Sequence, residues 1–182
     1  MLDPALSYSQ LPRAVVLVLM GVSGSGKTTV ARILAGRLGW LFQEGDELHP
    51  EANVEKMKAG QPLTDADRLS WLLAVADWVD GRLDAGENGI ITCSALKRSY
   101  RDVINRRGSG VIFVFLSGTK AAIAPRVVAR QAHFMPSSLL DSQFVDLEEP
   151  GPDEPHIRVD VGLLPGAIAE AILRGLRSEP GP

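Results

Sequence analysis

A glycine-rich stretch at residues 21–29 constrains the fold of this chain more than any other part of the sequence. From Gly21 it reads G-x-x-x-x-G-K-T, a pattern whose backbone N–H groups can surround a phosphate. The apolar run 15–19 leads into it, and apolar residues recur at helical spacing through residues 27–38, before Gly39. The stretch is therefore predicted to join a buried strand to a helix N-terminus.

Each part of this loop has a predicted role in holding a nucleotide. Glycines at 21, 24 and 26 allow the backbone to curl around an anion, and the helix N-terminus adds partial positive charge. Lys27 is predicted to reach the β- and γ-phosphates as a catalytic residue, and the Thr28 hydroxyl to ligate Mg²⁺. The predicted nucleotide-binding residues are Gly21, Val22, Ser23, Gly24, Ser25, Gly26, Lys27, Thr28 and Thr29. The alternative is a glycine-rich turn that binds nothing, which the flanking strand and helix patterns disfavour.

Strand and helix patterns alternate along the rest of the chain. Predicted strands cover 15–20, 40–43, 89–93, 111–116 and 156–161, and helical patterns cover 27–38, 50–59, 65–85, 100–107, 120–132, 137–144 and 165–176. This alternation predicts an α/β fold in which a five-stranded parallel sheet lies between two helical layers, a three-layer αβα sandwich of the P-loop type. In helix 65–85, one apolar stripe from Leu69 to Leu83 and a second with Trp71 and Trp78 predict packing on two sides.

Composition narrows the class of protein. The 182 residues predict one domain, 1–182, and 45% hydrophobic residues are enough for a core. A net charge of −3 argues against a nucleic-acid partner. The one cysteine, Cys93, suits a reducing compartment, and no apolar run is long enough to span a membrane. A cytoplasmic protein with no membrane partner is expected.

Two strand ends carry candidates for a second substrate. Asp46 follows the second strand, at the sheet edge where the phosphate loop is expected, and could accept a proton from an attacking hydroxyl. It could equally be a turn residue before Pro50, or serve the metal through water, because no aspartate follows the third strand. Lys97 and Arg98 after the third strand suit an anionic substrate, although they could also begin a solvated helix.

The segment 118–144 contains a pair of arginines at helical spacing. Arg126 and Arg130 lie on one helical face and could neutralise charge on bound phosphates from a lid that excludes water. Spacing alone favours a surface helix with solvated arginines, and His133 alone more often packs than reacts.

Several motifs together resemble a known family. MGVSGSGKT, EGDELHP, EKMKAGQPLTDADRLSWL, CSALKRSYRD, ARQAHF and LLDSQFVDLEEP occur in this order, and over residues 16–172 the chain is similar to bacterial gluconokinases of the small P-loop type. The resemblance implies a nucleoside monophosphate kinase-like fold with a mobile lid, and a homodimer. It also implies ATP-dependent phosphorylation of D-gluconate at the 6-hydroxyl, which yields 6-phosphogluconate and ADP for the pentose phosphate or Entner–Doudoroff route.

The resemblance also implies roles for individual residues. It makes Asp46 the carboxylate that faces the substrate hydroxyl, Arg130 a catalytic lid residue and Arg126 a nucleotide contact. The substrate side is implied to comprise Asp46, His49, Lys56, Arg68, Ser94, Lys97, Arg98 and His133. Within the one domain, 118–144 is the expected lid and 46–86 the expected substrate-binding helical region.

Two departures from the family pattern occur. Similar sequences have V-D-I-D near the last strand, whereas this chain has Val159-Asp160-Val161-Gly162, which leaves the base of the nucleotide open. Met135-Pro136 is expected to stiffen the lid.

Two other functions are compatible with part of the pattern. A kinase for another small anion, such as shikimate or adenylylsulfate, could use the same architecture. A nucleotide-dependent switch module could use the same loop, but the Asn-Lys-x-Asp motif that reads guanine is absent from the sequence.

Overall fold

Strands and helices alternate along the chain as the sequence pattern predicts. The computed structural model describes residues 13–129 and 137–178. Its strands are β1 Val16–Met20, β2 Leu41–Gln43, β3 Gly89–Thr92, β4 Val111–Ser117 and β5 His156–Asp160. Its helices are α1 Lys27–Leu38, α2 Glu51–Lys58, α3 Asp65–Asp84, α4 Arg98–Ile104, α5 Lys120–Ala129, α6 Ser137–Asp146 and α7 Pro165–Ser178, and a 3₁₀ turn covers Gly45–Leu48.

All five strands form one parallel sheet in the order β2-β3-β1-β4-β5. Residue Val16 at the start of β1 lies opposite Gly89 of β3 on one side and Val111 of β4 on the other. Every residue of β1 is buried, since the strand has a neighbour on each edge and helices on each face. The predicted parallel αβα architecture is confirmed, and its central strand leads into the glycine-rich loop.

The alternation of side chains along β1 divides the core into two layers. Leu17 and Leu19 point to a cluster that includes Leu34 of α1 and Ile172 of α7. Val16, Val18 and Met20 point the opposite way, to a cluster formed mainly with α3 and α4. The helices therefore cover both faces of the sheet and leave the carboxyl ends of the strands free to carry a site.

Members of both predicted apolar stripes of helix α3 are buried in the core. A capping box formed by Thr64 and Asp67 begins the helix. Trp71 and Val75 are buried in the core, whereas Leu69 is 47% and Leu73 is 41% exposed. The prediction that both stripes pack is therefore confirmed apart from Leu69 and Leu73, because the stripe that they begin also supplies the buried residues Leu72, Ala76 and Val79.

In the part of the chain that the structure describes, no helix combines the length and the apolar character that a membrane crossing requires.

Candidate active site

The glycine-rich loop between β1 and α1 has the geometry of an anion cradle. Gly21, Gly24 and Gly26 have φ of 135°, 79° and 97°, a region that disfavours other residues. A Cβ atom at Gly24 would lie 2.6 Å from a methyl carbon of Val127. The Ser25 hydroxyl oxygen is buried and has no hydrogen-bond partner among the described residues. An inward-turned backbone and an unpaired buried hydroxyl fit a bound phosphate.

Lys27 and Thr28 begin the helix that follows the loop. The Lys27 ammonium donates hydrogen bonds to the carbonyl oxygens of Gly21, at 3.0 Å, and Val22, at 3.1 Å. Thr28 is half-buried and Thr29 is exposed. The cation therefore lies against the loop, at the position from which it can meet phosphate oxygens.

Asp46 lies at the same edge of the sheet as the loop, because both segments are bound to the carboxyl end of β3. The Gly45 N–H donates to the Thr92 hydroxyl at 3.0 Å, and the Gly21 N–H donates to the Ser94 carbonyl at 3.2 Å. Cys93 lies between Thr92 and Ser94 in the chain, and burial is the main reason that the pKa of its thiol is raised to about 12. The charges of Asp46 and Lys27 act in opposite directions on that same pKa, so both lie near the thiol.

Close packing before Asp46 determines where its carboxylate lies. A Cβ atom on Gly45 would lie 1.8 Å from the Thr92 carbonyl oxygen, so only glycine fits there. The Trp71 indole N–H donates to the Gly45 carbonyl at 2.7 Å, and the Thr92 hydroxyl also donates to Glu44. These contacts attach the turn that carries Asp46 to β3 and α3.

His49 ends the 3₁₀ turn that carries Asp46 and packs against Trp71 of α3. Its ring stacks on Trp71 with 4.2 Å between centroids, and its Nδ1 is buried without a hydrogen-bond partner among the described residues. Burial lowers the pKa of His49, while Asp46 raises it and Arg68 lowers it further. The imidazole is therefore mainly neutral at pH 7, and its buried Nδ1 is unpaired among the described residues.

A cluster of charged groups surrounds Arg68 and Lys97. The Arg68 guanidinium donates to the Tyr100 hydroxyl at 3.0 Å, and that hydroxyl donates to Asp65 at 2.5 Å. The Lys97 ammonium lies 3.2 Å from Asp65, a pairing that raises the pKa of Lys97. Asp146, at the end of α6, lies 3.9 Å from Arg68 and 3.8 Å from Lys97. Two cations that share the carboxylates of Asp65 and Asp146 can hold an anionic substrate.

The sequence reasoning missed the acidic and hydroxyl members of this cluster. Tyr100, Asp65 and Asp146 come from three separate segments, and their motifs gave no local sign that they would meet. Only Arg68 and Lys97 were predicted, because cations are the expected partners of an anion.

Other predicted residues have partners elsewhere. Lys56 pairs with Asp67 at 2.6 Å, and Arg98 forms two hydrogen bonds with Asp153, at 3.1 and 2.6 Å. Arg126 donates to the Val161 carbonyl at 2.7 Å, in the segment after β5. Arg130 and His133 lie outside the described residues.

A buried ion pair, also missed from the sequence, supports the loop that holds Ser94 and Lys97. Arg101 is 1% exposed and donates two hydrogen bonds to Glu154, at 2.6 and 3.0 Å. Its third nitrogen donates to the carbonyls of Ala95, Leu96 and Glu148. Ala95 has a φ of 45°, a strained conformation for a residue other than glycine. The hydrogen bond from Arg101 to its carbonyl oxygen helps to hold that conformation.

The described residues contain no group of three or more histidine, cysteine, aspartate or glutamate side chains that could enclose a metal ion. Mg²⁺ in phosphoryl-transfer sites usually relies on one or two protein ligands and the substrate phosphates. A single hydroxyl, as at Thr28, fits that arrangement.

The known proteins to which this chain is similar include kinases of sugars and sugar acids. A family model described as "AAA domain" matches residues 16–150. The gluconokinase of Gluconobacter oxydans (strain 621H) is 53% identical over 163 residues, which cover 90% of this chain and 92% of that protein. An unliganded sugar kinase from Janibacter sp. HTCC2649 is 46% identical with a TM-score of 0.83, covering 92% of this chain and 96% of its own. A gluconokinase from Sinorhizobium meliloti 1021 is 44% identical with a TM-score of 0.80, covering 90% and 91%.

Proposed function

The chain belongs to the gluconokinase family of P-loop kinases and phosphorylates gluconate, and we propose that it uses ATP and Mg²⁺ to phosphorylate the 6-hydroxyl. The observation that carries this proposal is the shared attachment of Asp46 and the phosphate loop to the end of β3. This attachment supports a single cleft in which a donor phosphate and an acceptor hydroxyl can meet.

On the donor side, the loop residues bind and orient the triphosphate. The N–H groups of Gly21, Ser23 and Ser25 donate within the protein. The other backbone N–H groups of the loop and the Lys27 ammonium supply positive charge where negative charge develops. The Thr28 hydroxyl would hold Mg²⁺, which when bound neutralises phosphate oxygens. Arg126, bound to the segment after β5, would contact the nucleotide from the lid side, and Arg130 would supply charge to the phosphoryl group.

On the acceptor side, Asp46 takes the proton of the attacking hydroxyl. A carboxylate at this edge needs hydrogen-bond reach of the 6-hydroxyl to act as a general base. Its alternative role, in which it orients water around the metal, predicts a smaller loss on substitution.

Gluconate is an anionic polyol, and the cations of the charged cluster suit its carboxylate. Arg68 and Lys97 would bind that carboxylate, in competition with Asp65 and Asp146. His49, with its unpaired Nδ1, and Ser94 would contact hydroxyl groups. Lys56, Arg98 and His133 complete the proposed substrate side, where Lys56 also pairs with Asp67 and Arg98 with Asp153.

We further propose that this is one kinase domain, 1–182, with a lid at 118–144 and a substrate-binding region at 46–86. A homodimer in the cytoplasm is also proposed. The exposed apolar residues Leu69 and Leu73, which lie one turn apart on α3, support a surface that a second copy covers. Light scattering on the purified protein would give its mass directly.

A coupled assay of ADP release tests the function. Purified protein with ATP and Mg²⁺ should release ADP with D-gluconate, and little with shikimate, adenylylsulfate or no acceptor. Chelation of Mg²⁺ should stop the reaction. An equal rate of ADP release with and without gluconate would instead indicate a nucleotide-dependent switch.

A further inference from the structure

Two helices of the proposed lid segment, α5 and α6, contact the phosphate loop. From α5, Val127 and Ile123 lie so close to Gly24 that a Cβ atom there would be 2.6 and 3.3 Å from their methyl carbons. From α6, the Gln143 side-chain oxygen accepts a hydrogen bond of 2.6 Å from the Ser23 N–H. The loop is therefore supported from outside its own strand and helix.

Core packing holds Gln143 in that position. Leu140 of α6 is 2% exposed, and Phe144 and Leu147 pack against the cluster that contains Leu17 and Leu19 of β1. Gln143 is three residues from Leu140, so it lies on the same side of α6. An ion pair of 2.5 Å between Lys120 and Asp141 joins α5 to α6.

The Ser23 peptide needs such a partner. It lies between Gly21 and Gly24, which both have positive φ, and before α1 begins. Backbone N–H groups of this loop donate to phosphates, so the orientation of each peptide affects nucleotide binding. An amide can hold the N–H without adding charge, whereas a carboxylate at the same place would repel the triphosphate.

We propose that Gln143 is a positioning residue for the phosphate loop. Its side chain holds the Ser23 peptide in the orientation that the triphosphate requires, and because that side chain is neutral it does not repel the triphosphate. This inference rests on the proposed function only for the identity of the nucleotide. It assigns a role in nucleotide binding to α6 that no sequence motif indicated.

Two substitutions separate the hydrogen bond from the charge. Gln143→Met keeps the length but not the acceptor, and should weaken ATP binding without gluconate about three- to tenfold, the range of one net hydrogen bond. Gln143→Glu keeps the acceptor but adds charge, and should weaken ATP binding by about thirtyfold or more at pH 7.5. That loss should diminish as the pH falls toward about 4, near the ordinary pKa of a glutamate.

Val145→Glu is the matched control, since it adds the same charge to the same helix at a position 86% exposed. Calorimetry with ATP and Mg²⁺ measures binding, and hydrogen exchange measures the Ser23 amide, which should exchange faster in Gln143→Met than in the unsubstituted protein. The KM for gluconate should remain within about twofold in the two Gln143 variants, because Gln143 contacts the phosphate loop, whereas the residue of α6 near Arg68 and Lys97 is Asp146.

Unchanged ATP binding and unchanged Ser23 exchange in Gln143→Met would overturn the proposal. So would a Val145→Glu variant that binds ATP as weakly as Gln143→Glu. If the unsubstituted protein binds ATP but does not phosphorylate gluconate, the proposed function fails while the role of Gln143 is still tested by calorimetry.

Discussion

Replacement of Arg101 by methionine should destabilise the fold more than any exposed charge substitution, because it leaves a buried carboxylate alone. The Arg101 side chain is 1% exposed and that of Glu154 is 8% exposed. The change removes both bonds to Glu154 and those to three carbonyls. Loss of one partner of a buried pair costs about 3–5 kcal/mol. For a chain of this size, that should lower the melting temperature by about 6–20 °C.

Urea unfolding followed by circular dichroism measures this loss, and Arg98→Ala is its control. Arg98 pairs with Asp153 in the same region, but the two side chains are 49% and 60% exposed. Water and salt screen such a pair, so Arg98→Ala should leave the unfolding midpoint almost unchanged.

A double variant tests the mechanism. Because the cost comes from an unpaired buried charge, removal of both partners in Arg101→Met with Glu154→Leu should cost less than the sum of the two single changes. Strictly additive losses, or a loss below about 1 kcal/mol in Arg101→Met, would refute the reasoning. The single variant should also raise the KM for gluconate, since the loop that carries Lys97 loses its support.

Three further outcomes are expected. Asp46→Asn should lower kcat about 10²–10⁴-fold with ATP binding intact, and a loss under about tenfold in stopped assays would assign Asp46 to substrate or metal positioning instead. Arg126→Ala should raise the KM for ATP more than it lowers kcat, because the side chain contacts the segment after β5; a selective fall in kcat would place it at the transferred phosphoryl group. The hydrogen bond from Lys56, with those from Thr64, lowers the pKa of Asp67 to about 2. The ionised Asp67 therefore stabilises the fold fully above about pH 4, and this stabilisation is lost as the pH falls toward 2. Asp67→Asn should therefore lower the urea midpoint at pH 7 but match the unsubstituted protein near pH 2, and an equal difference at both pH values would show that charge is not involved.

Local sequence patterns predicted the fold, the phosphate loop and the edge of the sheet at which Asp46 lies. The apolar runs of β1, β3 and β4 are readable because a strand buried on both faces needs apolar residues throughout. The phosphate loop is readable because its glycines have to adopt backbone conformations that other residues avoid. Asp46 was placed at the correct edge because parallel strands all end there, although Gly45, which makes that placement possible, received no role.

The sequence by itself therefore determined the order of the strands and helices, the nucleotide loop and the family to which the chain is similar. Tertiary structure alone decided the pairing of Arg101 with Glu154 and of Ser23 with Gln143, which are 53 and 120 residues apart. It also decided that Leu69 and Leu73 are exposed while Trp71 is buried. The physical reason is that periodicity and turn chemistry act between near neighbours in the chain, whereas the partner of a side chain depends on which distant segment packs beside it.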